Sequence, residues 1–231
     1  MFLDKTGNRR LVKFVEIDRE KAGIPKKTIY RLSLYHRCLF KLTENGLETV
    51  SSSALAKAAG VKASQLRRDL SHVGQFGTRG LGYQVEELRM AIREVLGREH
   101  LQPVILVGAG NLGCALLRYG GFQKEGFEVI AAFDAVPEAV MKRDIGVPLF
   151  NSEKLDSFIV KNKVKLAILC VPAEKAQEVA NDLVLSGVQG ILNFSPTVLQ
   201  VPEKVTVNNV DLALELENLS FFIDRDGEEE E

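Results

Sequence analysis

The sequence predicts an α/β protein built in two parts, and three observations predict it. In the second half, short apolar runs alternate with helical stretches, the pattern of a parallel sheet covered by helices on both faces. The first half shows helix-length patterns and the opposite charge: residues 1 to 98 carry 19 Lys and Arg against 10 Asp and Glu, while residues 99 to 231 carry 11 against 21. Between them stands "VILVGAGNLGCALL", residues 104 to 117, a glycine-rich turn of the kind that closes the first strand of its domain. A complete unit therefore precedes it.

The bounds agree with two units. A chain of 231 residues with 45% hydrophobic content can bury one large or two small cores. No stretch approaches the roughly 20 consecutive apolar residues of a membrane span, and "MFLDKTGNRRLVKF" lacks the apolar core of a signal peptide, so a cytoplasmic protein without a membrane partner is expected. Cys38, Cys114 and Cys170 are far apart and have no C-x-x-C spacing. Neither a disulfide framework nor a metal site is expected; buried thiols are. The formal net charge of −1 hides the asymmetry between the halves, which suggests that the first half meets a polyanion.

In "IPKKTIYRLSLYHRCLFKL", Pro25 suits a first helical turn, Ile29, Leu32, Leu39 and Leu42 recur at helical spacing, and Gly46 suits the stop. "VSSSALAKAAG" gives a short helix capped by Ser52 or Ser53 and left through Gly60. In "VKASQLRRDLSHVG", Ala63, Leu66, Leu70 and Val73 fall on one side. Ser64, Arg68 and Ser71 then point the opposite way, with Gln65, Arg67 and His72 on the flanks. This is a helix-turn-helix with a recognition helix. Forked donors suit guanine edges, amides suit adenine, and short hydroxyls such as those of Ser52, Ser53, Ser64 and Ser71 suit phosphates. "FGTRGLGY" follows, where Gly77, Gly80 and Gly82 allow a tight hairpin with Arg79 at its tip. Such a hairpin is a wing, able to lay Arg79 and Tyr83 along double-stranded DNA or into its minor groove. "QVEELRMAIREVLG" closes the unit with Val85, Leu88, Ile92 and Leu96 on one stripe and a stop at Gly97.

Beyond residues 98 to 102 the strand-like runs are "PVILVG", "FEVIAAFD", "KLAILCVP" and "GILNF". Gly108, Gly110 and Gly113 follow the first run and open a helix. Gly108 can then make the turn, Gly110 can admit a pyrophosphate, and Gly113 can let helix and strand pack closely. Asn111, Leu112, Cys114 and Ala115 share the helix's first turn, where phosphates would sit. Asp134 ends the second strand, 21 residues past the last glycine, where a carboxylate can bond both ribose hydroxyls and repel a 2′-phosphate. A Rossmann domain for NAD(H) is expected. Cys114 reads as a buried thiol or, less simply, as a redox group at a helix start.

Taken together, the chain resembles the Rex family of bacterial redox-sensing transcriptional repressors. The likeness runs from Ile24 to about Asp224 through "IPKKTIYRLSLYHRCL", "VSSSALA", "SQLRRDLSHVGQFGTRGLGY", "GAGNLGCAL", "FD", "VP" (Val171 and Pro172), "GILNFSP" and "NNVDLALELENLSF". The resemblance implies a homodimer that binds operator DNA of inverted-repeat form and releases it when NADH is bound. It also implies a C-terminal helix, near Leu212 to Ser220, swapped onto the partner. Tyr119 matches a tyrosine near the nicotinamide in one state, and Asn193, Phe194, Ser195 and Pro196 match the segment lining the nicotinamide end. Arg37 and Asp211 match a charged pair formed in only one state. The domains expected are therefore a charged extension (1–23), a winged helix (24–98), a Rossmann domain (99–211), a dimerisation helix (212–224) and an acidic tail (225–231). Residues 1 to 23 depart from the family pattern.

The competing reading is an NAD-dependent oxidoreductase with an accessory basic domain. Such an enzyme needs an acid or base at the hydride, usually histidine. His36, His72 and His100 all lie at or before residue 100, and the segment after the Rossmann core is short for a separate substrate domain. No catalytic residue is expected. A CoA-binding or structural Rossmann module would share the sheet and leave the winged helix unexplained.

Overall fold

The structure, a computed structural model, describes residues 23–78, 80–97, 100–140 and 144–226. Arg79, almost all of the charged extension and the end of the acidic tail lie outside the described residues. The chain divides into two compact units, Met1–Glu99 and His100–Glu231.

The first unit contains α1 (Lys26–Glu44), β1 (Thr49–Val50), α2 (Ser52–Ala58), α3 (Ala63–Leu70), β2 (Tyr83–Gln84) and α4 (Val85–Val95). Pro25 stands one position before the expected first turn, and its carbonyl accepts from Thr28 N and Ile29 N at 2.8 and 3.1 Å. Leu32, Tyr35 and Leu39 form the buried stripe of α1, while Ile29 lies at its exposed edge. They pack with Leu55 of α2, Leu66 and Leu70 of α3, and Leu88 and Ile92 of α4. Neither Ser52 nor Ser53 caps α2. Ser51 does, accepting from Ala54 N at 3.1 Å from an extended backbone, because a cap must stand outside the helix that Ser52 and Ser53 have already entered.

The wing closes through an antiparallel bridge between Thr78 and Gly82. Tyr83 and Gln84 then pair with Val50 and Thr49. Gly82 has φ +85°, and a Cβ there would strike the Val50 carbonyl oxygen, so the chain returns against β1 only as glycine.

The second unit contains β3 (Gln102–Val107), α5 (Asn111–Leu117), α6 (Gly121–Lys124), β4 (Phe127–Asp134), β5 (Leu149–Asn151) and α7 (Leu155–Asn162). It continues with β6 (Leu166–Leu169), α8 (Ala173–Leu185), β7 (Gly190–Asn193), β8 (Thr206–Asn209) and α9 (Leu212–Asp226). The six strands are parallel in the order β5-β4-β3-β6-β7-β8, the doubly wound Rossmann arrangement. Alternation along β3 explains the two-faced core. Ile105 and Val107 pack with Ile159, Ala176 and Leu183, whereas Val104 and Leu106 pack with Leu116, Leu117 and Phe122. The order reverses between β3 and β6, which opens the crevice where ligands bind in such sheets. Along α9 the described side chains from Leu212 to Ile223 are exposed, including Leu216, Leu219, Phe221 and Phe222.

Candidate functional site

The glycine turn joins β3 to α5, and each glycine has a separate steric reason. Gly108 has φ +95°, and a Cβ there would lie 2.6 Å from the Cys170 carbonyl oxygen at the end of β6. Gly113 faces the Gly108 carbonyl, which a Cβ would strike, so α5 can start against the turn only without a side chain. Around a Cβ on Gly110 nothing stands within 4 Å. That opening lies outside the turn, where a pyrophosphate could approach the backbone. Asn111, Leu112 and Ala115 are exposed on the first turns of α5.

Asp134 ends β4 beside this turn. Its Oδ2 accepts from Ala109 N at 2.8 Å and its Oδ1 from Val136 N at 2.9 Å. Two backbone donors fix a carboxylate that has about four acceptor positions, so ribose hydroxyls could still be bound. The donor set thus fits a dinucleotide with an unmodified ribose. Cys114 is buried, and its thiol donates to the Ala109 carbonyl at 3.0 Å, fastening the turn. Burial pushes the Cys170 thiol up to about 12, which keeps it protonated.

The ends of β6 and β7 complete the crevice. Pro172 is exposed and Val171 half-buried; the Val171 carbonyl accepts from Ser195 Oγ at 2.6 Å. Asn193 was expected to line the nicotinamide end, but its side chain is fully buried. Its Nδ2 donates to Thr197 O and Asn209 Oδ1, both at 2.9 Å, and to Ser195 O at 3.2 Å, while its Oδ1 accepts from Ser195 N at 3.0 Å. Asn193 and Ser195 therefore shape the segment through protein bonds, because no polar atom of Asn193 faces outward. Phe194 is half-buried and Pro196 exposed. Tyr119 is 58% exposed, meets the Phe122 ring edge-on at 5.2 Å, and lies over Gly121 where a Cβ would collide.

Ser64, Arg67 and Arg68 are exposed on α3, as is Ser71 at its C-terminal cap. Arg67 Nη1 donates to Ser52 Oγ at 3.2 Å, and Ser71 Oγ donates to the Arg68 carbonyl at 2.7 Å. Ser53 is exposed at the start of α2. Gln65 departs from the expectation of an adenine reader, since it is half-buried and donates to Asp69 Oδ1 at 3.0 Å. Tyr83 departs too: its ring is buried in the core under the wing, where it fills space instead of lying along DNA.

Asp69 is the residue that sequence reasoning missed. It is 1% exposed and accepts from Arg31 Nε and Nη2 at 2.6 and 2.7 Å, Tyr35 Oη at 2.7 Å, Gln65 Nε2 at 3.0 Å and Thr28 Oγ1 at 3.3 Å. Burial by itself would raise this carboxyl, but the hydrogen bonds from Arg31, Tyr35 and Gln65 outweigh it and hold the pKa below the ordinary carboxylate value. Burial, and then the bond to Asp69, raises the Tyr35 hydroxyl. The signal was present as spacing: Thr28, Arg31 and Tyr35 share one side of α1, and Gln65 and Asp69 stand four apart on α3.

A family model described as "Putative DNA-binding protein N-terminus" matches residues 23–71, and one described as "CoA binding domain" matches residues 99–197. The redox-sensing transcriptional repressor Rex of Streptomyces avermitilis is 47% identical over 208 residues, which is 90% of this chain and 82% of that protein. The chain belongs to the Rex family. The crystal structure of RSP in complex with beta-NAD+ and operator DNA is 38% identical with a TM-score of 0.82, covering 88% of this chain and 94% of that one. RSP in complex with beta-NADH is 37% identical with a TM-score of 0.76, covering 88% and 96%.

The resemblance to Rex repressors read from the motifs is thus borne out. In this Rex-family chain Arg37 is exposed on α1. Asp211 caps α9, its Oδ1 accepting from Ala213 N at 3.0 Å and Leu214 N at 3.2 Å. Among the described residues, no group of His, Cys, Asp and Glu is arranged to hold a metal ion, and no helix is long and apolar enough to cross a membrane.

Proposed function

We propose that this Rex-family repressor acts in the cytoplasm as a homodimer that binds inverted-repeat operator DNA and releases it when NADH is bound. The observation that carries the reading is the presence, in one chain, of a recognition helix with exposed arginines and a complete dinucleotide turn with a ribose carboxylate. In RSP the same architecture accompanies beta-NAD+ with operator DNA, and separately beta-NADH. Gly108, Gly110, Gly113 and the first turn of α5 would hold the pyrophosphate, and Asp134 the ribose. Asp134 would also repel the ribose phosphate of CoA or NADP(H), so the site favours NAD(H). Ser64, Arg67, Arg68 and Ser71 would face the major groove, with Arg79 of the wing on the minor groove. The exposed apolar side chains of α9 would be covered by a second copy, placing two recognition helices on two half-sites.

NADH and NAD⁺ differ by a positive charge and by ring planarity at the nicotinamide, so discrimination belongs at Tyr119, Phe194 and Pro196 and not at Asp134. The chain supplies no histidine beyond residue 100, which suits a sensor and not a hydride-transfer enzyme. A ligand releases DNA only if it prefers the shape that DNA does not, and linkage makes the effect mutual. NADH affinity should therefore fall by a factor of about 5–150 when saturating operator is present. Calorimetric titration with and without operator tests this. Equal NADH affinities would overturn the redox-switch reading.

A further inference from the structure

We propose that Asn209 is the positioning residue that ties the segment Phe194–Thr197 to the start of α9. The hydrogen bond that its Oδ1 accepts from Asn193 Nδ2 would carry the nicotinamide state to the dimer helix. The inference rests on the functional reading above, which places the nicotinamide end at Phe194 and the partner contact on α9.

Asn193 ends β7 and Asn209 ends β8, directly opposite one another in the parallel register. The Asn193 amide has two N–H protons, and they serve three acceptors: Thr197 O, Ser195 O and Asn209 Oδ1. Two acceptors lie in the segment that follows β7; the third lies on the strand that leads to α9. A shift of that segment therefore changes the share of the amide left for Asn209. Asn193 itself is fully buried, so its amide depends on these protein acceptors.

The far side of the link is short. Val210 N donates to the Asn193 carbonyl at 2.8 Å, and the next residue is Asp211, whose carboxylate caps α9. β8 is an edge strand anchored to the core at its start, by Val205 and Val207, while its end at Asn208 and Asn209 is exposed. At that end the ladder to β7 and the Asn193 amide hold the strand. The Ser195 hydroxyl bond to Val171 O fastens the other side of the segment to the end of β6. Movement in Phe194–Thr197 is thereby directed toward β8.

Asn209 is exposed, so shortening it leaves no cavity. The test measures NADH affinity with and without saturating operator in the parent, in Asn209→Ala and in Asn209→Asp. The aspartate keeps an acceptor for the Asn193 amide; alanine removes it. Asn209→Ala should retain NADH affinity in the absence of DNA and operator affinity in the absence of NADH, while the ratio between NADH affinities falls toward one. Asn209→Asp should restore the parental ratio. A parental ratio of one would overturn the functional reading and this link with it. A large parental ratio kept in full by Asn209→Ala would overturn the link alone, as would loss of the ratio in both variants.

Discussion

Asp69 in the first unit and Asn193 in the second are both buried polar side chains surrounded by hydrogen-bond partners, yet they are built on opposite principles. Asp69 is charged and receives donors from two helices, Thr28, Arg31 and Tyr35 of α1 and Gln65 of its own α3, so the recognition helix is locked to the longest helix of its unit. Asn193 is neutral and offers two protons to three acceptors on two segments. A charge desolvated among matched donors has one good arrangement, because every departure exposes an unpaired group to a low dielectric. A neutral amide with more acceptors than protons must share its N–H groups among them, and losing one acceptor strands no charge. The comparison sets a charged, fully matched hub beneath the helix proposed to read DNA against a neutral, shared one beside the segment proposed to meet the nicotinamide.

The largest effect that tests this contrast is on stability. Replacing Asp69 by alanine leaves Arg31 without its carboxylate and Tyr35 without its acceptor, and should cost about 3–5 kcal/mol in denaturant unfolding. Asn193→Ala should cost about 1–3 kcal/mol, the penalty of unpaired neutral groups. Equal losses would remove the distinction between the hubs. Acid sharpens it. The native pKa of Asp69 is held below its unfolded value, near 3.9 for aspartate, so its contribution is complete above that value and is lost as pH falls through the native one. Asp69→Asn should flatten that acid limb, whereas Asn193→Asp should not reproduce it, since no arginine bonds that site among the described contacts.

A smaller effect concerns operator reading. Arg68 is exposed on α3 while Gln65 is committed to Asp69, so Arg68→Ala should cost about 1–3 kcal/mol of specific binding with NADH affinity unchanged. Gln65→Ala should leave base preference intact. A changed preference at one operator position in Gln65→Ala, measured across single-base operator variants, would mean that Gln65 leaves Asp69 on DNA.

The contrast also explains what the sequence could show. Glycine spacing in the β3 turn, the apolar runs of the central strands and the stripe of Leu66, Leu70 and Val73 follow from steric and hydrophobic periodicity, which is local and visible in one chain. Asp69 was not legible as a hub, because a charged residue in "QLRRDL" reads as a solvated face until α1 is laid against it. The sequence shows an asparagine at the end of a strand but not its direction, and only folding shows that its amide points toward Thr197 and Asn209. Strands β5 and β8 are illegible for another reason. At three and four residues, and at the two edges of the sheet, they carry too little apolar patterning to register. Three consecutive serines do not show which one caps α2, because cap position depends on where the helical backbone begins.

The smallest and most discriminating effect is at Asp211, where charge and neutral hydrogen bonding can be separated in one side chain. Asp211 caps α9 through two backbone bonds, and the family resemblance pairs it with Arg37 in one state of the switch. Alanine removes both roles and should destabilise α9 by about 1 kcal/mol through loss of the cap. Asparagine caps a helix about as well as aspartate but carries no charge, so Asp211→Asn keeps the first role and deletes the second. If the charged pair drives the switch, both variants should reduce the mutual effect of NADH and operator to the same extent, and Arg37→Ala should match them. Only Asp211→Ala should then lose helix stability, read as earlier thermal melting of the protein without ligands. If Asp211→Asn retained the full mutual effect while Asp211→Ala lost it, the cap would be the working part, and transmission would run through the position of α9 as set from Asn193 and Asn209. The charged pair would then be excluded, and the shared neutral hub would carry the signal by itself.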